Sequence, residues 1–214
     1  MKDSCAAIFD LDGVLLDSES DLTWLQRVSE KTLAHFHLDM DQFSELLYPK
    51  YVPNFREIIK RIGIDPTDLW PVRNRIYTDE KLKAMKKRII TPFPDVSTLY
   101  NLKQYYELGI VSNSPQSIVD YFIKEFKFED LFDFGIGRGD GLDDIQRMKP
   151  HPFLFSKVKS HINTTYIYYI GDTDTDRLFA ERTGMIYLSL ERNMKISMNY
   201  SSLDQIVDYL LSVQ

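Results

Sequence analysis

Hydrophobic and polar positions along the chain fall into two regimes. The first apolar run, Cys5-Ala6-Ala7-Ile8-Phe9, is short and closes on Asp10-Leu11-Asp12-Gly13, the form of a buried strand whose end carries polar groups. From Ser18 to Arg88 the apolar positions instead recur at helical spacing. Leu22, Leu25, Val28, Leu33 and Phe36 follow Ser18-Glu19-Ser20-Asp21, which has the form of a capping box. Phe43, Leu46 and Leu47 form a second cluster, ended by the two prolines of Tyr48-Pro49-Lys50-Tyr51-Val52-Pro53. Phe55, Ile58, Ile59 and Ile62 run up to Gly63, and Val72, Ile76, Leu82, Met85 and Ile89 follow Asp65-Pro66-Thr67. No strand is predicted in this stretch.

Beyond the proline-stiffened joint Thr91-Pro92-Phe93-Pro94-Asp95, strand and helix alternate. The pattern predicts a helix from about Asp95 to Gly109, then a strand at Ile110-Val111 ending in Ser112-Asn113-Ser114-Pro115. A helix over Ile118 to Phe126, a strand over Phe134 to Ile136 and a glycine-rich loop from Gly137 to Gly141 come next. His151 to His161 reads as helix, Tyr166 to Ile170 as strand, and Asp174 to Thr183 as a helix closed by Gly184. Met185 to Leu190 is a further strand, and Ser202-Leu203-Asp204-Gln205 caps a last helix. The alternation implies an α/β fold, a doubly wound parallel sheet. The all-helical stretch is then an insertion after the first strand. The expected division is a core of residues 1–17 and 90–214 and a helical cap of 18–89, seated over the carboxyl edge of the sheet where Asp10 is exposed.

Composition narrows the function classes. With 214 residues, 43% hydrophobic and 27% charged, the chain can bury a sizeable core and is expected to be soluble. A formal net charge of -6 opposes nonspecific binding to nucleic acid or an anionic membrane. The one cysteine, Cys5, removes a disulfide framework or a cysteine-based zinc site and favours a reducing compartment. The first apolar run is too short for a signal-peptide core, and no stretch reaches the length of a membrane span. A cytoplasmic protein, monomeric or weakly dimeric, is expected.

Four strand ends carry complementary polar groups: Asp10 and Asp12; Ser112 and Asn113; Lys149 in Met148-Lys149-Pro150; and Gly171-Asp172-Thr173-Asp174-Thr175-Asp176. Open α/β sheets place their sites at such ends. This set, in this order from Ile8 to Gly184, resembles the haloacid dehalogenase superfamily, in its phosphoglycolate phosphatase and β-phosphoglucomutase-like branch with a small helical cap. The resemblance implies a Rossmann-like core and a Mg²⁺-dependent phosphatase acting on a small phosphorylated metabolite, such as a sugar phosphate or phosphoglycolate. Asp10 would attack phosphorus to form an aspartyl-phosphate, and Asp12 would protonate the leaving alcohol and later take a proton from water. Mg²⁺ would be held by the carboxylates of Asp10 and Asp172 and the backbone carbonyl of Asp12, a hard oxygen-only site. Ser112, the Asn113 amide and Lys149 would hold the phosphate oxygens, and Asp176 would orient a metal-bound water. Asp174 falls outside the pattern and reads as a helix N-terminal acid. Phe153 stands after Lys149-Pro150-His151-Pro152 where the family often has an acid, a departure that bears on the subfamily.

Other readings compete. A phosphomutase would use the same groups, and a noncatalytic ligand-binding protein would use the same scaffold; the acid Asp12 disfavours dehalogenation. In the cap, Lys50, Asn54 and Arg56 are the expected selectors of the leaving group, and a phosphonate-cleaving relative would use Lys50 as an imine. Asp172 to Asp176 resembles the start of a calcium loop, but Arg177 and Thr183 stand where glycine and glutamate are required. His35 and His37 lack a nearby third ligand. Lys81, Lys83, Lys86, Lys87 and Arg88 read as a solvated helix face.

Overall fold

The computed structural model describes residues 5–38, 63–192 and 199–213. Five parallel strands form the central sheet in the order β5-β4-β1-β6-β7. They are β1 (Cys5–Phe9), β4 (Tyr106–Pro115), β5 (Phe134–Arg138), β6 (Ile167–Gly171) and β7 (Ile186–Ser189). β1 is central, with β4 in register on one side (Phe9 opposite Ile110) and β6 on the other (Phe9 opposite Ile170). The strand order reverses beside β1, and such a switch point is where open α/β sheets leave a crevice at their carboxyl ends. Asp10 is the first residue beyond β1.

Side-chain alternation feeds two cores, one on each face of the sheet. Ala7 and Phe9 of β1, Leu108 and Ile110 of β4, and Tyr168 and Ile170 of β6 pack with helices α3 (Gln116–Glu125) and α6 (Leu203–Ser212). Ala6, Ile8, Val111, Ile167 and Tyr169 point the other way, toward α4 (Phe153–Val158) and α5 (Asp174–Thr183). The fold is therefore a doubly wound α/β sheet, as the alternation of elements implies.

Within the stretch expected to be helical, the described residues form α1 (Thr23–Phe36) and α2 (Pro66–Lys86), which pack on each other. Asp65 caps α2 by accepting the Thr67 N–H at 2.8 Å. α1 starts later than its capping-box signal suggests: its N-cap is Leu22, with no side-chain cap. Instead Asp17 accepts the Ser20 N–H and Asp21 accepts the Thr23 N–H, so these acids shape the entry turn. The clusters at Phe43 and Phe55 lie outside the described residues, as do Lys50, Asn54 and Arg56. A two-stranded antiparallel ribbon, β2 (Leu16–Asp17) with β3 (Thr91–Pro92), ties together the two ends of the inserted stretch.

Two expectations are corrected between β3 and β5. Pro94–Leu102 is a 3₁₀ helix, and Gly109 lies inside β4 rather than ending a helix. The reason is tertiary, since a Cβ at Gly109 would fall 2.2 Å from the Phe134 ring of the neighbouring strand. Gly137 and Arg138 belong to β5, so the glycine-rich loop is shorter than expected. α5 matches its predicted bounds, with Thr173 and Asp176 in a reciprocal capping box and Gly184 left-handed at φ 75°. No helix among the described residues is long and apolar enough to cross a membrane.

Candidate active site

The site is assembled from the carboxyl ends of β1, β4 and β6, the Lys149 loop and one face of α2. Asp10 is fixed first: its N–H donates to the Ile170 carbonyl (2.9 Å) and its Oδ1 accepts the Leu11 N–H (2.8 Å). Lys149 Nζ lies 2.8 Å from that oxygen and 2.6 Å from Asp176 Oδ1, and it also donates to the Tyr169 hydroxyl at 2.7 Å. The main chain of Lys149 is held in turn by the side chain of Asn113, which accepts its N–H (2.7 Å) and donates to its carbonyl (3.2 Å). Ser112, buried beside it, accepts the Ser114 N–H through Oγ (3.0 Å).

Charge in this cluster is only partly balanced. Burial, set against the Lys149 ammonium and reinforced by Asp176 and Asp12, pushes the Asp10 carboxyl up to about 6. Burial would lower Lys149, but Asp10 and Asp176 more than offset it and leave its ammonium above the usual range. Burial would likewise raise Asp176, yet Lys149 and Thr173 hold it low.

Asp172 comes in from the end of β6, close against Gly13. Gly13 has φ +79°, a region where side chains are strained, and a Cβ there would fall 2.2 Å from Asp172 Oδ2. Asp10, Asp172 and Asp176 each offer an oxygen within 4.8 Å of the others. Three carboxylates converging at a buried point with oxygen donors alone suit a hard divalent cation such as Mg²⁺. Gly13→Ala is expected to displace Asp172 and lower stability by about 1–2 kcal/mol for the left-handed turn alone. Melting with and without Mg²⁺ checks this: stabilisation by the ion should shrink in the variant.

Asp12 faces the cavity, and its partners were not foreseen. Lys81 Nζ of α2 approaches its Oδ1 at 2.5 Å and Ser114 Oγ donates to its Oδ2 at 2.8 Å, while Lys81 also donates to Ser114 Oγ at 2.9 Å. Lys81 is fully buried and lies over the rings of Trp24 and Tyr77. The solvated-face reading of the basic run is thus wrong for this residue: its charge is matched by an acid 69 positions away in the chain. Burial alone would lower Lys81, but Asp12 leaves it raised.

The cavity above these groups measures about 350 Å³, and Trp24, Trp70, Arg73, Tyr77, Met148 and Arg138 contribute to its walls. The expected residues Asp10, Asp12, Ser112, Asn113, Lys149, Asp172 and Asp176 all line it. Asp174 does not join the cluster; its side chain is 87% exposed and pairs with Arg177. His37 closes α1 in a left-handed conformation, and His35 stacks edge-on to Phe36. Ser114, Lys81, Arg73 and Arg138 were missed. A serine two residues past Ser112 on an extended strand end is a signal that could have found the first.

A family model described as haloacid dehalogenase-like hydrolase matches residues 7–189. The phosphoglycolate phosphatase of Rhodobacter capsulatus is 25% identical over 190 residues, covering 86% of this chain and 82% of its own. That of Aliivibrio fischeri is 25% identical over 188 residues, covering 82% and 79%. Among solved structures, a haloacid dehalogenase-type phosphatase from Thermococcus onnurineus aligns with a TM-score of 0.63 at 22% identity, over 96% of this chain and 97% of its own. The 2-haloacid dehalogenase of Pseudomonas syringae aligns equally well, with a TM-score of 0.63 at 17% identity over 99% and 100%. The shared fold hosts both chemistries, so the choice between them rests on the site. With nearly the whole sheet inside the matched region, the chain belongs to the haloacid dehalogenase-like hydrolases.

Proposed function

We propose that this chain is a Mg²⁺-dependent phosphatase that hydrolyses a small phosphorylated metabolite through an aspartyl-phosphate on Asp10. The observation that carries the reading is the pairing of a buried Asp10, held by Lys149, with a second acid, Asp12, two residues on and facing the same cavity. Displacement at phosphorus needs a fixed nucleophile and a separate proton donor for the leaving alcohol. The named relatives, phosphoglycolate phosphatases, support the same class.

Asp10 attacks phosphorus, and the bond to the leaving oxygen breaks as Asp12 delivers its proton. Asp12 then takes a proton from the water that attacks the phosphorylated Asp10, releasing phosphate and regenerating the carboxylate. Ser112, the Asn113 amide and Lys149 hold the phosphate oxygens, the positioning and charge work that dominates phosphoryl transfer. Asp10, Asp172 and the Asp12 carbonyl would hold the cation, with Asp176 behind them; when bound it supplies positive charge that offsets the gathered carboxylates. Asn113's side chain, by bracketing the Lys149 main chain, keeps the ammonium aimed at Asp10.

Assay of a panel of small phosphate esters tests this. Phosphate release is expected with Mg²⁺, lost on chelation and restored on its return. Ca²⁺ should inhibit, because its larger, looser coordination could engage both oxygens of Asp10; full activity with Ca²⁺ would count against the proposed cation site. A phosphomutase would instead convert a hexose 1-phosphate, primed with a bisphosphate, to its isomer faster than phosphate is freed, and that outcome overturns the hydrolase reading.

A further inference from the structure

Asp12 is the acid of the proposed mechanism, and the groups that hold it come from two separate parts of the chain. Lys81 stands on α2, in the inserted stretch, and Ser114 stands at the end of β4. Lys81 Nζ donates to Asp12 Oδ1 (2.5 Å), to Ser114 Oγ (2.9 Å) and to the Tyr77 hydroxyl (3.2 Å). An ammonium has three N–H donors, so these acceptors employ them all and fix the head group. Ser114 extends the chain of bonds: its hydroxyl accepts from Lys81 and donates its single proton to Asp12 Oδ2 at 2.8 Å. Each oxygen of Asp12 thus meets a different donor, which sets the plane of the carboxyl as well as its place. Lys81 and Ser114 are both buried, and the Ser114 N–H is tied to Ser112 Oγ (3.0 Å). The strand end that brings Ser112 to the cavity therefore also locates the acid.

We propose that Lys81 and Ser114 are positioning residues for protonation of the leaving group, acting on the reaction only through Asp12. The inference rests on the phosphatase reading and deepens it, because it says what readies the acid. Asp10 and Asp12 are two acids facing one cavity, and like charges repel. An untethered Asp12 would swing away from the nucleophile beside which it has to serve. Lys81 and Ser114 counter that tendency and hold the carboxyl at the cavity wall, at the start of its short path to the leaving oxygen. The proton that departs with the alcohol is carried by Asp12, and neither positioning residue gives up one of its own. Placement of this kind is worth a large factor, since an error of about 1 Å costs about 10²-fold in rate. Because Lys81 is carried by α2, the acid is aligned only where that helix is seated against the end of β1.

The test varies how much the leaving group needs a proton. The alcohol of an alkyl phosphate must be protonated as it leaves, whereas p-nitrophenolate departs as a stable anion. Comparing kcat/KM isolates the step that frees the alcohol, so the later attack of water, in which Asp12 also serves, does not enter. Lys81→Met should lower kcat/KM by about 30-fold or more on the best alkyl ester of the panel and by about threefold at most on p-nitrophenyl phosphate. Ser114→Ala leaves the ammonium on Asp12 and should show the same selectivity at about three- to tenfold. In an Asp12→Asn background neither change should shift the ratio of the two esters further, because the group through which both act is gone. Melting curves establish that each variant is folded at the assay temperature, and if Lys81→Met is not, Ser114→Ala decides by the same criterion. Equal losses on both esters, as a merely structural contact would give, overturn the inference, as does a further selective loss in the Asp12→Asn background. If the wild type frees phosphate from no ester at all, it is the phosphatase reading that fails, and the inference falls with it.

Discussion

Asp10→Asn is expected to lower phosphate release by at least about 10⁴-fold, with no loss of stability. The amide keeps the size of the carboxyl and can still accept the Leu11 N–H, but it cannot attack phosphorus. Stability moves the other way because the folded-state value of Asp10 lies above its ordinary 3.8, at about 6. A carboxyl so raised binds its proton more tightly folded than unfolded. Without metal, its ionisation therefore erodes stability as pH rises from about 4 to about 6, and the full penalty stands above that window. Asparagine does not titrate and escapes it. At pH 7.5 without added metal the variant should melt no lower than the wild type, whereas a low melting point together with lost activity would point to a merely structural acid.

Lys81→Met should have the largest effect on stability. The lysine is buried, and its ammonium bonds at once to Asp12, Ser114 and Tyr77. Removing one partner of a buried pair leaves the other charge stranded, at a cost of about 3 kcal/mol. For a chain of this size that corresponds to a fall in Tm of roughly 6–12 °C. A double-mutant cycle with Asp12→Asn isolates the pair, and a coupling of about 1.5 kcal/mol or more is expected between the two sites. Additivity within about 0.5 kcal/mol would show that the contact does not hold α2 to the end of β1. The kinetic consequence is separate: on the proposed mechanism Asp12 would exchange its contacts with Lys81 and Ser114 for the leaving oxygen, which would make Lys81 a positioning group for the acid.

What the sequence reveals here is what local pattern encodes. Ile8-Phe9-Asp10 and Tyr169-Ile170-Gly171-Asp172 announce strand ends because the apolar run and the acid are adjacent in the chain. α5 is legible to the residue because its start, Thr173 to Asp176, and its stop, Gly184, are both local signals. Lys81 is not, since nothing in the sequence distinguishes it from the exposed Lys83, Lys86 and Lys87 until Asp12 is brought beneath it. Arg138 is hidden in the same way by a glycine-rich context that reads as loop, although β5 extends through it and α2 covers it. Gly109 misleads because a Phe134 ring from the next strand requires it. In each case the missing information is a contact between residues far apart in sequence.

The central claim is that Asp10 carries the phosphoryl group between substrate and water. Acid quenching during turnover, followed by proteolysis and mass spectrometry, tests it most directly. A phosphoryl group on the peptide containing Asp10, absent from Asp10→Asn and from enzyme without substrate, is the predicted result. Steady phosphate release with the label on another residue, or undiminished release by Asp10→Asn, would contradict it.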